Sequence, residues 1–195
     1  METLASDHIE PLWMQDERFV VDKIFSFMDA DSLPTSRPIS IQSTNPADIF
    51  QLFDAITYDK GATLIRMMSM FLGEGVFQNG IRNYLRDLSY SSATQEDLWR
   101  YLSEAADKKV DVERIMNAWT KQAGYPIVEI QREYPSSSNQ LRQMNTESYM
   151  TITQRPFSLS SSVTKTEKWW IPFKYFDRKS VRVSIMIECF NDLKT

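Results

Sequence analysis

Cysteine and histidine are scarce in this 195-residue chain, which contains one of each. Because Cys189 has no second cysteine to pair with, an internal disulfide is excluded. A buried small side chain is the usual role of such a cysteine. His8 has only Asp7 and Glu10 nearby in sequence, and this set does not supply the three or four ligands of a protein zinc site. We therefore predict that this chain alone binds no metal.

Long apolar runs and an excess of positive charge are also missing. No stretch approaches the roughly 20 apolar residues that cross a bilayer. The N-terminus lacks the basic region and apolar core of a signal peptide. The net charge is −4, whereas a nucleic-acid-binding protein needs a basic face. We predict a soluble chain with no membrane segment and no nucleic-acid partner, and its cellular location stays open.

Several motifs of catalytic and metal sites are absent from the sequence as well. It contains no H-E-x-x-H zinc motif, no cysteine cluster and no glycine-rich phosphate loop. A Ser-His-acid triad would depend on His8, and no serine lies in a nucleophile-elbow pattern. What is present is a composition typical of folded proteins, with 42% hydrophobic residues, five Trp and eleven Phe. The chain is therefore expected to fold around an aromatic core.

The first 124 residues carry helical signals. The apolar spacing predicts a long helix over residues 1–28 with a disturbance at Pro11. Asn45 and Pro46 form a helix start, with asparagine before and proline at the first helical position. Three apolar residues then follow at helical spacing and predict one buried face: Ile49, Phe53 and Ile56. A bend or break is expected between Thr57 and Gly61.

Further helices are predicted after this point. Leu64, Met68 and Phe71 share one apolar face, and Gly73 separates that helix from the next one, whose apolar residues are Phe77, Ile81, Tyr84, Leu85 and Leu88. Thr94 and Asp97 form a capping box. Asp111 is the predicted cap of the last helix, and Gly124 is its predicted stop signal.

The sequence period changes near Tyr125. Four short β-branched or aromatic segments read as strands: 127–130, 150–154, 169–173 and 181–185. Serine-rich loops at 135–139 and 158–164 separate them. We therefore predict an α+β chain with a helical part over residues 1–124 and a β part over residues 125–195.

Tyr58 is the candidate functional residue of the helical part. It lies in F-D-A-I-T-Y-D-K-G-A, residues 53–62, between two apolar helical stretches. A tyrosine at a helix irregularity can direct its hydroxyl away from the packed face. The alternative is a core tyrosine whose hydroxyl finds a buried partner. Spacing alone leaves both interpretations open. Arg37, in the loop that precedes these helices, could likewise be a carboxylate binder or a solvated or structural arginine.

The 53–62 motif resembles a signature of the M1 zinc aminopeptidases. Other matches to that family follow in the family's order: S-R-P-I at 36–39, F-L-G-E at 71–74, D-L-W at 97–99, M-N-A-W-T at 116–120 and G-Y-P at 124–126. In the β part, W-W-I-P at 169–172 resembles a family strand. The resemblance weakens after Phe176, so the end of the β part is expected to be incomplete.

This resemblance implies a fold, a reaction and one site residue. The fold is the helical C-terminal half of a thermolysin-like (gluzincin) catalytic domain, followed by a partial β-sandwich. The reaction is removal of N-terminal residues from peptides by a zinc enzyme, in which Tyr58 would stabilise the transition state. Met1 and Glu2 match the tail of the helix that carries a zinc-binding glutamate, so the zinc ligands and H-E-x-x-H would lie before this chain. The chain alone is then expected to be inactive.

A second hypothesis of a different class stays open. The chain could be a non-catalytic peptide-binding or protein-interaction module derived from the same family.

An incomplete sandwich would also expose a sheet edge, which predicts self-association. Relatives in this family are either membrane-anchored ectoenzymes or cytoplasmic enzymes.

Overall fold

The computed structural model describes residues 6, 9–42, 45–133, 149–159, 166–176, 183–189 and 193–194. His8, residues 1–5, the serine-rich loop at 135–139 and most of the loop at 158–164 lie outside the described residues. The described chain is a set of helices followed by antiparallel strands. The mixed α+β class is confirmed. The division into two domains and the sandwich arrangement stay predictions.

The N-terminal region is helical but not one regular helix. A 3₁₀ turn at Pro11–Trp13 ends at Met14, whose φ of 49° is left-handed, so the disturbance predicted at Pro11 is confirmed. Helix α1 (Gln15–Phe19) then continues into a first π-helical segment (Val20–Phe25) and helix α2 (Ser26–Asp31). The apolar spacing did not predict the π-helical widening.

The central region differs from its prediction. Helix α3 (Pro46–Ile49) begins at Pro46 as predicted and continues as a 3₁₀ turn (Phe50–Leu52). The chain leaves helical geometry at Phe53, whose ψ is 69°. Ile49 and Phe53 are therefore exposed, and only Ile56 is buried. The single buried face predicted for these three residues is wrong, because the turn at Phe53 breaks the helical period.

A second π-helical segment (Ile56–Lys60) runs directly into helix α4 (Gly61–Leu72). The predicted bend or break between Thr57 and Gly61 is instead a continuous, locally widened helix. Helix α4 buries Leu64, Met68 and Phe71, as the sequence predicted. Gly73 has a φ of 83°, which a glycine adopts at little cost, and it turns the chain into helix α5 (Glu74–Asp87).

Helix α6 (Gln95–Ala105) begins at the Thr94–Asp97 capping box, and helix α7 (Val112–Thr120) begins at Asp111, both as predicted. Helix α7 ends four residues before Gly124, the predicted stop. Leu85 is exposed rather than part of the core. The main apolar core lies among α4 to α7 and contains Leu64, Met68, Phe71, Phe77, Trp99, Leu102, Val112, Ile115 and Met116.

The strands lie close to their predicted positions and form two antiparallel sheets over the described residues. The first sheet has the order β1 (Pro126–Glu133), β2 (Tyr149–Pro156) and β5 (Leu193–Lys194). The second pairs β3 (Ile171–Phe176) with β4 (Val183–Glu188). Strand β5 was not predicted. Its two residues pair with Thr151 and Ile152, which the sequence period alone cannot indicate.

Aromatic residues join the strands to the helices. The indole Nε1 of Trp119 donates to the carbonyl of Trp170 at 2.8 Å, and the Arg114 guanidinium lies 4.0 Å from the centre of the Trp170 ring. Tyr125 stacks on Phe157 with the ring centres 5.0 Å apart. The segment before β3 therefore packs on the end of α7.

Candidate functional site

Tyr58 lies in the second π-helical segment with its side chain 57% exposed. Its amide donates to the carbonyl oxygen of Asp54 at 3.0 Å, so the backbone is ordered even though the ring faces outward. The ring lies beside Phe53, with the ring centres 6.2 Å apart. No hydrogen bond joins the Tyr58 hydroxyl to any residue that the structure describes. The interpretation of Tyr58 as a core tyrosine is therefore not supported by its surroundings.

The residues on either side of Tyr58 are all anchored. On the C-terminal side, the Asp59 carboxylate accepts hydrogen bonds from Lys23 Nζ at 2.8 Å and from Ser26 Oγ at 2.6 Å. These donors belong to the first π-helical segment and to α2. Burial raises the pKa of Asp59, but the hydrogen bonds from Lys23 and Ser26 and the lysine charge outweigh it, so the pKa lies below its usual value.

The Lys60 side chain is more deeply buried than that of Asp59. Its ammonium donates to Asp31 Oδ2 at 2.7 Å and to the carbonyl oxygens of Gly124 at 3.1 Å and Gln122 at 3.4 Å. Asp31 also accepts a hydrogen bond from the Gly124 amide at 2.7 Å and another from the Ser36 hydroxyl. This network ties the residue two places after Tyr58 to the turn that precedes β1.

On the N-terminal side, Thr57 and Asp54 are held by Arg37. The guanidinium Nη2 donates to Asp54 Oδ1 at 2.8 Å and to Thr57 Oγ1 at 2.9 Å. The sequence left Arg37 with two interpretations, a carboxylate binder or a structural arginine. The structure supports the structural interpretation, because the carboxylate that Arg37 binds belongs to the chain itself.

The arrangement leaves one side chain of the segment pointing outward. Ile56 is buried, while Thr57, Asp59 and Lys60 make the polar contacts described above. A phenol held this way can donate one hydrogen bond to an acceptor that comes within reach of its hydroxyl. A cleft of about 580 Å³ lies on another side of the segment, lined by residues that include Arg37, Gln51 and Asp54. Tyr58 is not among the residues lining it.

Histidine and cysteine side chains that could hold a zinc ion are few in this sequence. The sequence has one histidine, one cysteine and no H-E-x-x-H. Within the part of the chain that the structure describes, no three His, Cys, Asp or Glu side chains are grouped closely enough to hold a metal.

Among the described helices, none is long and apolar enough to cross a membrane.

Comparison with known proteins identifies the family. The family model described as Peptidase family M1 domain matches residues 1–119. The thyrotropin-releasing hormone-degrading ectoenzyme of Rattus norvegicus is 38% identical over 160 residues, which is 80% of this chain and 14% of the relative. Aminopeptidase 2, mitochondrial, of Saccharomyces cerevisiae is 38% identical over 133 residues, 68% of this chain and 14% of the relative.

Aminopeptidase N of Homo sapiens is 37% identical over 138 residues, which is 67% of this chain and 14% of the relative. The match therefore spans about one seventh of the length of these relatives. The family match over residues 1–119 includes the whole segment that presents Tyr58. The chain belongs to the M1 family of peptidases.

Proposed function

We propose that this chain is part of a zinc metalloaminopeptidase and that Tyr58 is its transition-state stabiliser. The single observation that carries the proposal is the outward phenol of Tyr58 between anchored neighbours, within the region that matches the family. Residues 1–124 would form the helical C-terminal half of a gluzincin catalytic domain. Residues 125–195 would begin the β-sandwich that follows it. The substrates would be peptides with a free N-terminus.

The chemical role follows from where negative charge develops. Hydrolysis of a peptide bond passes through a tetrahedral intermediate whose former carbonyl oxygen becomes an oxyanion. A rigidly held donor stabilises this oxyanion more than the ground-state carbonyl, and therefore lowers the barrier. The hydroxyl of Tyr58 can donate such a hydrogen bond, from a backbone that the neighbouring residues anchor. Zinc, which the family implies for full-length enzymes, would have to be held by residues other than those of this chain.

The test places Tyr58 in an active polypeptide. Residues 1–119 of this chain, which the family model matches, would replace the corresponding segment of human aminopeptidase N, and Tyr58→Phe would be compared with the unsubstituted chimera. We expect kcat to fall roughly 10²–10³-fold with a smaller change in KM. Tyr90→Phe is the matched control, because Tyr90 is fully exposed. Equal turnover by the Tyr58→Phe chimera and its parent would remove Tyr58 from the mechanism.

The isolated 195-residue chain is expected to hydrolyse no peptide, because it has no H-E-x-x-H motif. A fluorogenic aminopeptidase assay with added zinc checks this. Elemental analysis of zinc-loaded and dialysed protein should likewise show no stoichiometric zinc. One tightly held zinc ion per chain, or turnover above buffer, would contradict the proposal that the zinc ligands lie outside this chain.

A non-catalytic peptide-binding or protein-interaction module is the second candidate. The observation that favours it is the exposure of apolar side chains just before the Tyr58 segment: Phe50 is 81% exposed, and Phe53, whose ring lies 6.2 Å from that of Tyr58, is 63% exposed. Sequencing the transcript upstream of the Met1 codon separates the two candidates. An in-frame H-E-x-x-H motif favours the enzyme, and a stop codon directly before Met1 favours the module. Self-association through a sheet edge stays a prediction, tested by light scattering.

A further inference from the structure

We propose that Arg37 is a positioning residue for Tyr58. It would act through Asp54 and Thr57 to hold the π-helical segment in the geometry that presents the phenol. The inference rests on the proposed function for its catalytic meaning. Its structural content, that Arg37 sets the local order of the Tyr58 backbone, can be tested on the chain itself.

Arg37 uses its guanidinium for several acceptors at once. Besides Asp54 and Thr57, it donates to the carbonyl oxygens of Pro38 at 3.0 Å and Leu52 at 3.4 Å. Its side chain is 21% exposed. A planar guanidinium presents donors in a rigid fork, whereas a lysine ammonium is a compact point charge on a flexible stem. The site is therefore specific for arginine rather than for positive charge.

The effect of Arg37 on Tyr58 passes through Asp54. The same carboxylate oxygen that accepts from Arg37, Oδ1, accepts the Thr57 amide at 2.9 Å. The carbonyl oxygen of Asp54 accepts the Tyr58 amide at 3.0 Å. The first amides of a helical segment have no partner within it. Asp54 caps the segment by supplying acceptors for two of them, the amides of Thr57 and Tyr58.

Arg37 is the contact that orients this cap. The Asp54 side chain is 39% exposed, so packing restrains it less than it would restrain a buried side chain. Charge-assisted hydrogen bonds from a guanidinium are stronger than neutral ones and restrict carboxylate orientation. Removal of the guanidinium would leave the Thr57 hydroxyl and the Asp54 carboxylate without this donor. We expect the segment to open locally at Thr57 and Tyr58 while the rest of the fold stays intact.

The test is amide hydrogen exchange, measured by NMR on the complete 195-residue chain. Arg37→Gln should raise the exchange rates of the Thr57 and Tyr58 amides by about tenfold or more, because loss of a charge-assisted hydrogen bond lowers the local opening energy. The Asp97 amide in the α6 capping box should keep its rate. Arg66→Gln is the matched control, since Arg66 also binds an aspartate but contacts Asp16 and Phe19 instead.

Two further variants separate positioning from general stability. Arg37→Lys keeps the charge but not the planar fork of donors. The thermal midpoint should therefore stay close to that of the wild type, while the Thr57 and Tyr58 amides should exchange faster than in the wild type. Asp54→Asn keeps an acceptor for the Thr57 amide and should show a smaller loss of protection than Arg37→Gln. Unchanged exchange at Thr57 and Tyr58 in Arg37→Gln, or an equal rise at Asp97, would overturn the proposal.

Activity in the aminopeptidase chimera supplies an independent result. Arg37→Gln should lower kcat more than it raises KM, and adding it to Tyr58→Phe should cause little further loss. If Tyr58→Phe leaves kcat unchanged, the proposed function fails, yet the exchange data still decide whether Arg37 orders Tyr58. If Tyr58→Phe removes activity while Arg37→Gln has no effect on kcat or exchange, only the positioning role fails.

Discussion

The Lys60 ammonium lies 2.7 Å from the Asp31 carboxylate, and both side chains are completely buried. This ion pair connects the end of α2 with the end of the second π-helical segment. The Gly124 carbonyl oxygen accepts a hydrogen bond from Lys60, and the Gly124 amide donates one to Asp31. Three parts of the chain that are distant in sequence therefore meet at one charged pair. Tyr58 lies two residues before Lys60, so the buried ion pair anchors the segment that carries the candidate site residue.

Breaking this buried pair should be strongly destabilising. Lys60→Met leaves the Asp31 carboxylate buried without its counter-charge, and such a loss typically costs about 3–5 kcal/mol of unfolding free energy. Urea denaturation followed by circular dichroism measures it. Lys109→Met is the control, because the Lys109–Asp107 pair is largely exposed and should contribute little. A cost below that of an ordinary surface substitution would contradict the buried geometry.

Tyr58→Phe should leave the stability of the chain nearly unchanged. The side chain is 57% exposed, and surface substitutions of this kind usually stay within about 0.5 kcal/mol. A buried, hydrogen-bonded tyrosine hydroxyl would instead contribute roughly 0.5–1.5 kcal/mol. Denaturation midpoints of the two proteins decide between these values. A loss above about 1 kcal/mol would indicate that the hydroxyl has a buried partner after all.

A side chain at Gly80 is predicted to destabilise the fold. A Cβ at Gly80 would lie 2.8 Å from Leu102 Cδ2 and 3.3 Å from Ala105 Cβ, at the contact between α5 and α6. Gly80→Ala should therefore destabilise by about 1–3 kcal/mol through overpacking. Gly75→Ala in the same helix meets open space and should stabilise by roughly 0.4–1 kcal/mol. Thermal unfolding of the two variants should give shifts of opposite sign.

The pH dependence of stability should include a contribution from Asp59. Its folded-state pKa is lowered, so its ionised form stabilises the fold at pH values above the unfolded pKa, near 3.8. That stabilisation is lost as the pH falls below 3.8 and through the folded-state pKa. The difference in unfolding free energy between wild type and Asp59→Asn should therefore be constant near neutral pH and shrink in acid. Urea titrations from neutral pH to below about pH 3 check the direction, and a growing difference in acid would refute it.

Local sequence signals predicted the helix starts well. The Thr94–Asp97 capping box, the Asp111 cap and the start at Pro46 all lie where the structure has them. Each of these depends on groups within one helical turn, so nearby residues contain the needed information. The strand segments were also recognised, since β-branched and aromatic residues cluster in them.

Longer-range features were predicted poorly. The spacing of Ile49, Phe53 and Ile56 suggested one buried face, but the backbone turn at Phe53 placed two of the three in solvent. The two π-helical segments carry no spacing signal of their own. They face each other through Lys23 and Asp59, which are 36 residues apart, so their geometry depends on tertiary contacts.

The sequence by itself determined the order of helices before strands, the absence of a zinc motif and the family to which the chain belongs. These properties depend on residue types and short spacings, which can be read directly. Only the tertiary structure decided the orientation of Tyr58 and the hydrogen-bond partners of Arg37. An amphipathic spacing does not distinguish a phenol that points into a core from one that points outward. That choice is made by contacts from Lys23, Arg37 and Asp31, which come from distant parts of the chain and hold Asp59, Thr57 and Lys60 in place.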